Sequence, residues 1–169
     1  MIFGIIISSI SLLLDALLSS YIPIFINNNN LFIPMFTIIS LIIIFPYFNN
    51  DEYSYLKICA LFGLIYDILF TNTLGLNIVL FIIIGFIINF LDGTLSNSLI
   101  SVIIKMLIVI IIFDSLTYFI LLMLDYIDYG ILILLKKFLK SLILNFIYII
   151  ILHFSTNGLA KKYRIRKAN

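Results

Sequence analysis

Long apolar runs separated by short polar breaks dominate the chain. Six apolar segments stand out, at about 2–26, 31–48, 55–71, 74–91, 99–124 and 131–154. The breaks are built from turn formers: Asn27-Asn28-Asn29-Asn30, Asn49-Asn50-Asp51-Glu52, Thr71-Asn72-Thr73, the run from Asp92 to Ser98, and the run from Asp125 to Gly130. A helix needs about 20 apolar residues to cross a hydrocarbon layer about 30 Å thick. Lipid offers no partner for unpaired backbone groups, so each segment is expected to be helical. A membrane barrel would alternate polar and apolar positions, and runs such as Ile82-Ile83-Ile84 break that alternation. The expected fold class is all-α integral membrane, a bundle of six transmembrane helices in one domain over 1–169, ending in a basic tail over 155–169. Thr71-Asn72-Thr73 is so short that the third and fourth spans should form a tight antiparallel hairpin.

Composition agrees with this pattern. Of the 169 residues, 64% are hydrophobic and 11% charged, too few charges to cover the surface of a water-soluble domain. The N-terminus lacks a basic region before its first apolar run and a small-residue cleavage site, so it is expected to remain as a span. The net charge of +2 is small, and no basic surface for nucleic acid is arranged. Half of the ten basic residues lie in the tail, at Lys161, Lys162, Arg164, Arg166 and Lys167. That tail is expected to touch anionic lipid, at about 1 kcal/mol per charge near the surface.

Basic residues also set orientation. Six crossings put both termini on one side, and the tail places that side in the cytoplasm. Lys57 and Lys105 then fall near cytoplasmic helix ends, while Lys136, Lys137 and Lys140 are exceptions at the outer mouth of the sixth span. A five-span variant, with residues 131–140 lying along an interface, is the competing layout.

Under this topology spans one, three and five run outward, and each carries one interior acid: Asp15, Asp67 and Asp114. At about 1.5 Å per residue they lie roughly 18–23 Å from the cytoplasmic ends, at similar heights. An ionised aspartate facing lipid there costs about 2.5–3.5 kcal/mol, so all three are expected to face the interior. "DALLSS" at Asp15 and "DILFTN" at Asp67 share a pattern of Asp, any residue, Leu, apolar, Ser/Thr and polar; at Asp114 only "DSLT" is present. Three roles stand open: a structural polar contact to the backbone or a neighbouring polar side chain, an ion-pair network with Lys136, Lys137 and Lys140, of which 136 and 140 share a helical face, or a proton or ion relay.

In the third span Cys59 or Ala60, Gly63 and Asp67 recur at spacings of three and four, a face that another helix can approach closely. Gly75 opens the fourth span directly after the short turn, where a side chain would crowd the hairpin. Cys59 is expected to be a packing residue, and His153, the only histidine, an interfacial one. One histidine and a distant cysteine do not make a zinc site, Glu52 is the only glutamate, and no glycine-rich phosphate loop occurs. Neither an enzyme nor a cofactor or metal is implied.

The segment Gly63-Leu64-Ile65-Tyr66-Asp67-Ile68-Leu69-Phe70, followed by Leu74-Gly75-Leu76, resembles the "G-L-x-x-D-[IL]-[LF]-x-x-x-x-L-G-L" motif of the rod shape-determining protein MreD family. Asp15 in the first span and Asn145 in the last, within "SLILNFIYIIILHF", extend the resemblance, which covers the whole chain in layout. It implies a non-enzymatic component of the bacterial cell-elongation machinery, in the cell membrane, beside an MreC-like membrane protein with MreB and peptidoglycan synthases nearby. It implies a fold like the substrate-binding subunits of energy-coupling-factor transporters, which makes a vitamin-type binding subunit the alternative function. Asp15, Gly63, Asp67, Gly75, Asp114 and Asn145 are the residues expected to form buried polar contacts or to meet a partner, the partner's helix approaching over Gly63 and Gly75.

Overall fold

A computed structural model describes residues 2–21, 34–48, 51–70, 75–125 and 131–165. The described residues form helices and no strand: α1 (Ile2–Tyr21), α2 (Phe36–Ile44) continued by a 3-10 turn (Phe45–Phe48), α3 (Glu52–Phe70), α4 (Leu76–Thr94), α5 (Leu99–Met123) and α6 (Ile131–Lys162). Five stretches among them, Ile2–Ser19, Glu52–Phe70, Leu76–Thr94, Leu99–Met123 and Phe138–Lys162, are long and apolar enough to cross a membrane. The turns expected at 27–30, 49–50, 71–73 and 126–130, and the end of the tail from 166, lie outside the described residues.

The second segment departs from the six-span expectation. In place of a spanning helix it forms the short helical piece Phe36–Phe48, about 20 Å long at about 1.5 Å per residue. Two prolines explain its limits. Pro34 lacks an N–H and disfavours helix in the residue before it, so the helix starts after it. Pro46 falls where the helix tightens into the 3-10 turn. Every residue of α2 is buried, so it runs through the middle of the bundle instead of facing lipid.

Contacts give the direction of each helix. Gly4 lies against Ile44 and Phe48, Ser8 bonds Ser40, and Asp15 bonds Phe36 and Thr37, so α1 and α2 are antiparallel. Met35 meets Asn145 and Tyr47 meets Asn157, so α2 runs parallel to α6. In the α3–α4 hairpin Gly63 lies against Asn77 and Ile78, and Gly85 against Leu56 and Cys59. Phe81 meets Phe113 and Asp92 meets Lys105, which makes α4 and α5 antiparallel. Odd helices run one way and even helices the other, with the short α2 keeping the polarity of a crossing. Residues 131–140, which the five-span variant laid along an interface, are the first turns of the continuous helix α6.

The core is apolar and lies around α2: Ile39, Leu41 and Ile44 pack with Leu80, Phe81, Ile84 and Ile88 of α4 and with Met106, Val109 and Ile110 of α5. Outward-facing side chains such as Ile10, Leu13, Phe90 and Ile147 are large and apolar as well. Hydrophobicity therefore does not separate inside from outside in this protein. Polar residues do.

Candidate functional site: two helix ends held by aspartates

A helix that begins inside a bundle leaves its first backbone N–H groups without intrahelical partners. α2 begins that way, and Asp15 of α1 supplies the acceptors. Phe36 N donates to Asp15 Oδ1 at 2.9 Å, Thr37 N to Oδ2 at 2.7 Å, and Thr37 Oγ1 to the same Oδ2 at 2.6 Å. One residue earlier, Met35 N donates to Oδ1 of Asn145 on α6 at 2.9 Å. Asp15 is 1% exposed and Asn145 0%. The carboxyl group of Asp15 thus caps the first turn of α2, the end where the helix dipole is positive.

The α3–α4 hairpin repeats the device. Asp67, one turn before the end of α3, accepts from Gly75 N on Oδ2 at 2.9 Å. Its Oδ1 accepts from Asn77 N at 3.1 Å and Asn77 Nδ2 at 2.9 Å. The residue at the N-terminal boundary of α4 is Gly75, whose φ of 100° no other L residue adopts without strain. In both cases an acid near the end of one helix holds the first turn of the next, antiparallel one. The shared "D-x-L" pattern at Asp15 and Asp67 thus has a common structural use.

Asp114 of α5 is 2% exposed. Tyr66 of α3 lies within electrostatic reach of both Asp15 and Asp114, so the acids of α1 and α5 share one interior region.

Comparison with known proteins decides the family. The model of the family "rod shape-determining protein MreD" matches residues 2–163, nearly the whole chain. The chain belongs to the MreD family. No curated protein and no solved structure matches it. Membership makes it a multi-pass membrane protein with a role in determining rod shape, from a family of structural components.

Within this MreD-family fold two glycines differ from expectation. A Cβ on Gly63 would sit 2.6 Å from Asn77 O and 2.8 Å from Ile78 Cα, so the small face of α3 is closed over by the backbone of α4 and offers a partner no groove. No atom of the described residues lies near where a Cβ on Gly75 would stand, and its φ of 100° is what calls for glycine there. The hydrogen-bond partners described for two of the acids are not lysines. The carboxylates of Asp15 and Asp67 are met by backbone and side-chain donors, whereas the ion pair among the described residues joins Lys105 of α5 to Asp92 of α4. Lys105, 1% exposed, also donates to Asn97 Oδ1 at 3.2 Å and so ties both ends of the α4–α5 turn.

Several polar partners were not singled out from sequence. Thr37, Ser8, Ser40, Ser11 and Tyr148 join the interior network, with Ser11 Oγ 2.6 Å from Tyr148 Oη and Ser40 Oγ donating to Ser8 Oγ at 3.0 Å. Serine and threonine inside apolar runs were the available signal. His153 is buried, its Nε2 3.0 Å from Asn157 Nδ2. Cys59 is buried and free, and among the described residues no cluster of His, Cys, Asp or Glu could hold a metal.

Proposed function

We propose that this chain is a non-enzymatic membrane component of the bacterial cell-elongation machinery, which holds an MreC-like single-pass partner and through it serves MreB and the peptidoglycan synthases. The family match over residues 2–163 carries the reading. Two carboxylate-held helix ends support it physically: they fix α2 and α4 in place and make the bundle a rigid body on which a partner can be positioned. Both termini are assigned to the cytoplasm by the basic residues at the end of α6 and beyond. The partner's helix packs on the lipid-facing side of the bundle, because the Gly63 face is occupied by α4. In this reading Asp15, Asp67, Asp114 and Asn145 serve binding indirectly, through the shape they maintain.

Depletion of the protein in rod-shaped cells tests it. The expected result is rounding or widening, with the MreC-like protein co-purifying with the tagged chain from wild-type membranes. Normal shape with a vitamin auxotrophy would overturn the reading in favour of a small-molecule-binding subunit of an energy-coupling-factor transporter. The recess between α5 and α6 gives that alternative little support, since Met106, Leu107, Leu142, Ile143, Phe146 and Ile147 line it without a polar group to recognise a vitamin.

A further inference from the structure

Lys136 and Lys140, near the start of α6, stand apart from the basic residues of the tail. Their height follows from the hydrogen bonds. Met35 N reaches Asn145 and the next residue, Phe36, reaches Asp15, so Asn145 and Asp15 share a level. From Asp15 the end of α1 at Tyr21 is about 9 Å further, at about 1.5 Å per residue. The same rise back along α6 from Asn145 arrives beside Lys140. Lys140 therefore lies where α1 leaves the bundle, and Lys136 stands one turn beyond it. The spanning stretch of α6 begins at Phe138, between the two.

Below these lysines, α5 and α6 diverge around a recess of about 300 Å³ lined by Met106, Leu107, Leu142, Ile143, Phe146 and Ile147. Lys136, Lys140, Ile143 and Ile147 follow one another at spacings of four, three and four, so they form a single stripe on α6. Lys136 is exposed and Lys140 half-buried, and among the described residues neither has a carboxylate partner. A cation pair at the interface thus stands directly over an apolar slot that opens to the hydrocarbon. The slot is at the small end of ligand-pocket volumes, suited to a hydrocarbon chain and too apolar for a headgroup.

We propose that this stripe is a binding site for an anionic phospholipid, whose phosphate is held by Lys136 and Lys140 while one acyl chain occupies the α5–α6 recess. The site is distinct from the basic tail at the opposite end of α6. It gives Lys136 and Lys140 a role on the side where the positive-inside rule expects few lysines: they meet lipid phosphate there. The bound lipid would seal α5 to α6, the pair joined across this slot.

The purified protein in phosphatidylcholine nanodiscs doped with phosphatidylglycerol tests the site, with retained lipid read by native mass spectrometry. Wild type is expected to retain phosphatidylglycerol over phosphatidylcholine, and added inorganic phosphate should not displace it. Lys136→Gln with Lys140→Gln should weaken that retention tenfold or more, at about fivefold per charge near the surface. Ile147→Trp, which fills the slot, should reduce retention of both lipids. Equal retention of the two lipids by wild type, or unchanged selectivity in the double lysine variant, would each overturn the proposal. So would cross-linking of a cysteine placed at Ile143 to a second copy or another polypeptide in place of lipid.

Discussion

Replacing Asp15 by alanine removes the acceptors of three donors at once: Phe36 N, Thr37 N and Thr37 Oγ1. The hydroxyl can rotate toward another acceptor. The two amides are fixed by the first turn of α2, in a region where Asp15 is 1% exposed and water is scarce. A buried donor left unsatisfied costs about 1–3 kcal/mol, so the two amides together give about 2–6 kcal/mol. Against a total stability on the order of 5–15 kcal/mol this is a large fraction. Asp15→Asn keeps one oxygen and turns an NH₂ group toward the other amide, so about half of that loss, roughly 1–3 kcal/mol, is expected. Denaturation of the purified protein in mild detergent, followed by the loss of a monodisperse elution peak on heating, gives the order. Wild type should be most stable, then Asp15→Asn, then Asp15→Ala, with Asp125→Asn, at an exposed position, indistinguishable from wild type. If Asp15→Ala matched wild type, or if Asn and Ala lost the same amount, the carboxylate would not be holding α2 and the account of the site would fail.

Two further substitutions probe the rest of the framework. Gly63→Ala should part the α3–α4 hairpin, because its methyl would meet backbone atoms that cannot rotate away; Gly75→Ala meets no atom of the described residues and should lose about 1–2 kcal/mol for its left-handed backbone. A disulfide trap across α3 and α4 should therefore lose efficiency in the first variant and keep it in the second. Lys105→Met should destabilise the α4–α5 turn by about 1–3 kcal/mol, since Asp92 loses its partner while only 18% exposed. Adding Asp92→Asn should recover part of that loss, and a double variant no better than the single one would argue against the pair.

Hydrophobic periodicity alone specified a helical membrane protein with polar turns, and the cost of a charge in lipid was enough to turn Asp15, Asp67 and Asp114 inward. The motif from Gly63 to Leu76 was enough to point to the family. What those acids bond to depended on chain folding in three dimensions. Asp15 and Phe36 are far apart in sequence, and only the return of the chain into the bundle puts the open end of α2 beside α1. Pro34 and Pro46 bound a short helix within the apolar run at 31–48, but its hydrophobicity does not tell that the helix is buried, because a lipid-facing segment and a core segment are equally hydrophobic in a membrane; the distinction rests on which neighbours surround it. Gly63 illustrates the same limit. Its small size announces a close approach, and the identity of the approaching backbone, α4 of its own chain, is a property of the packed bundle.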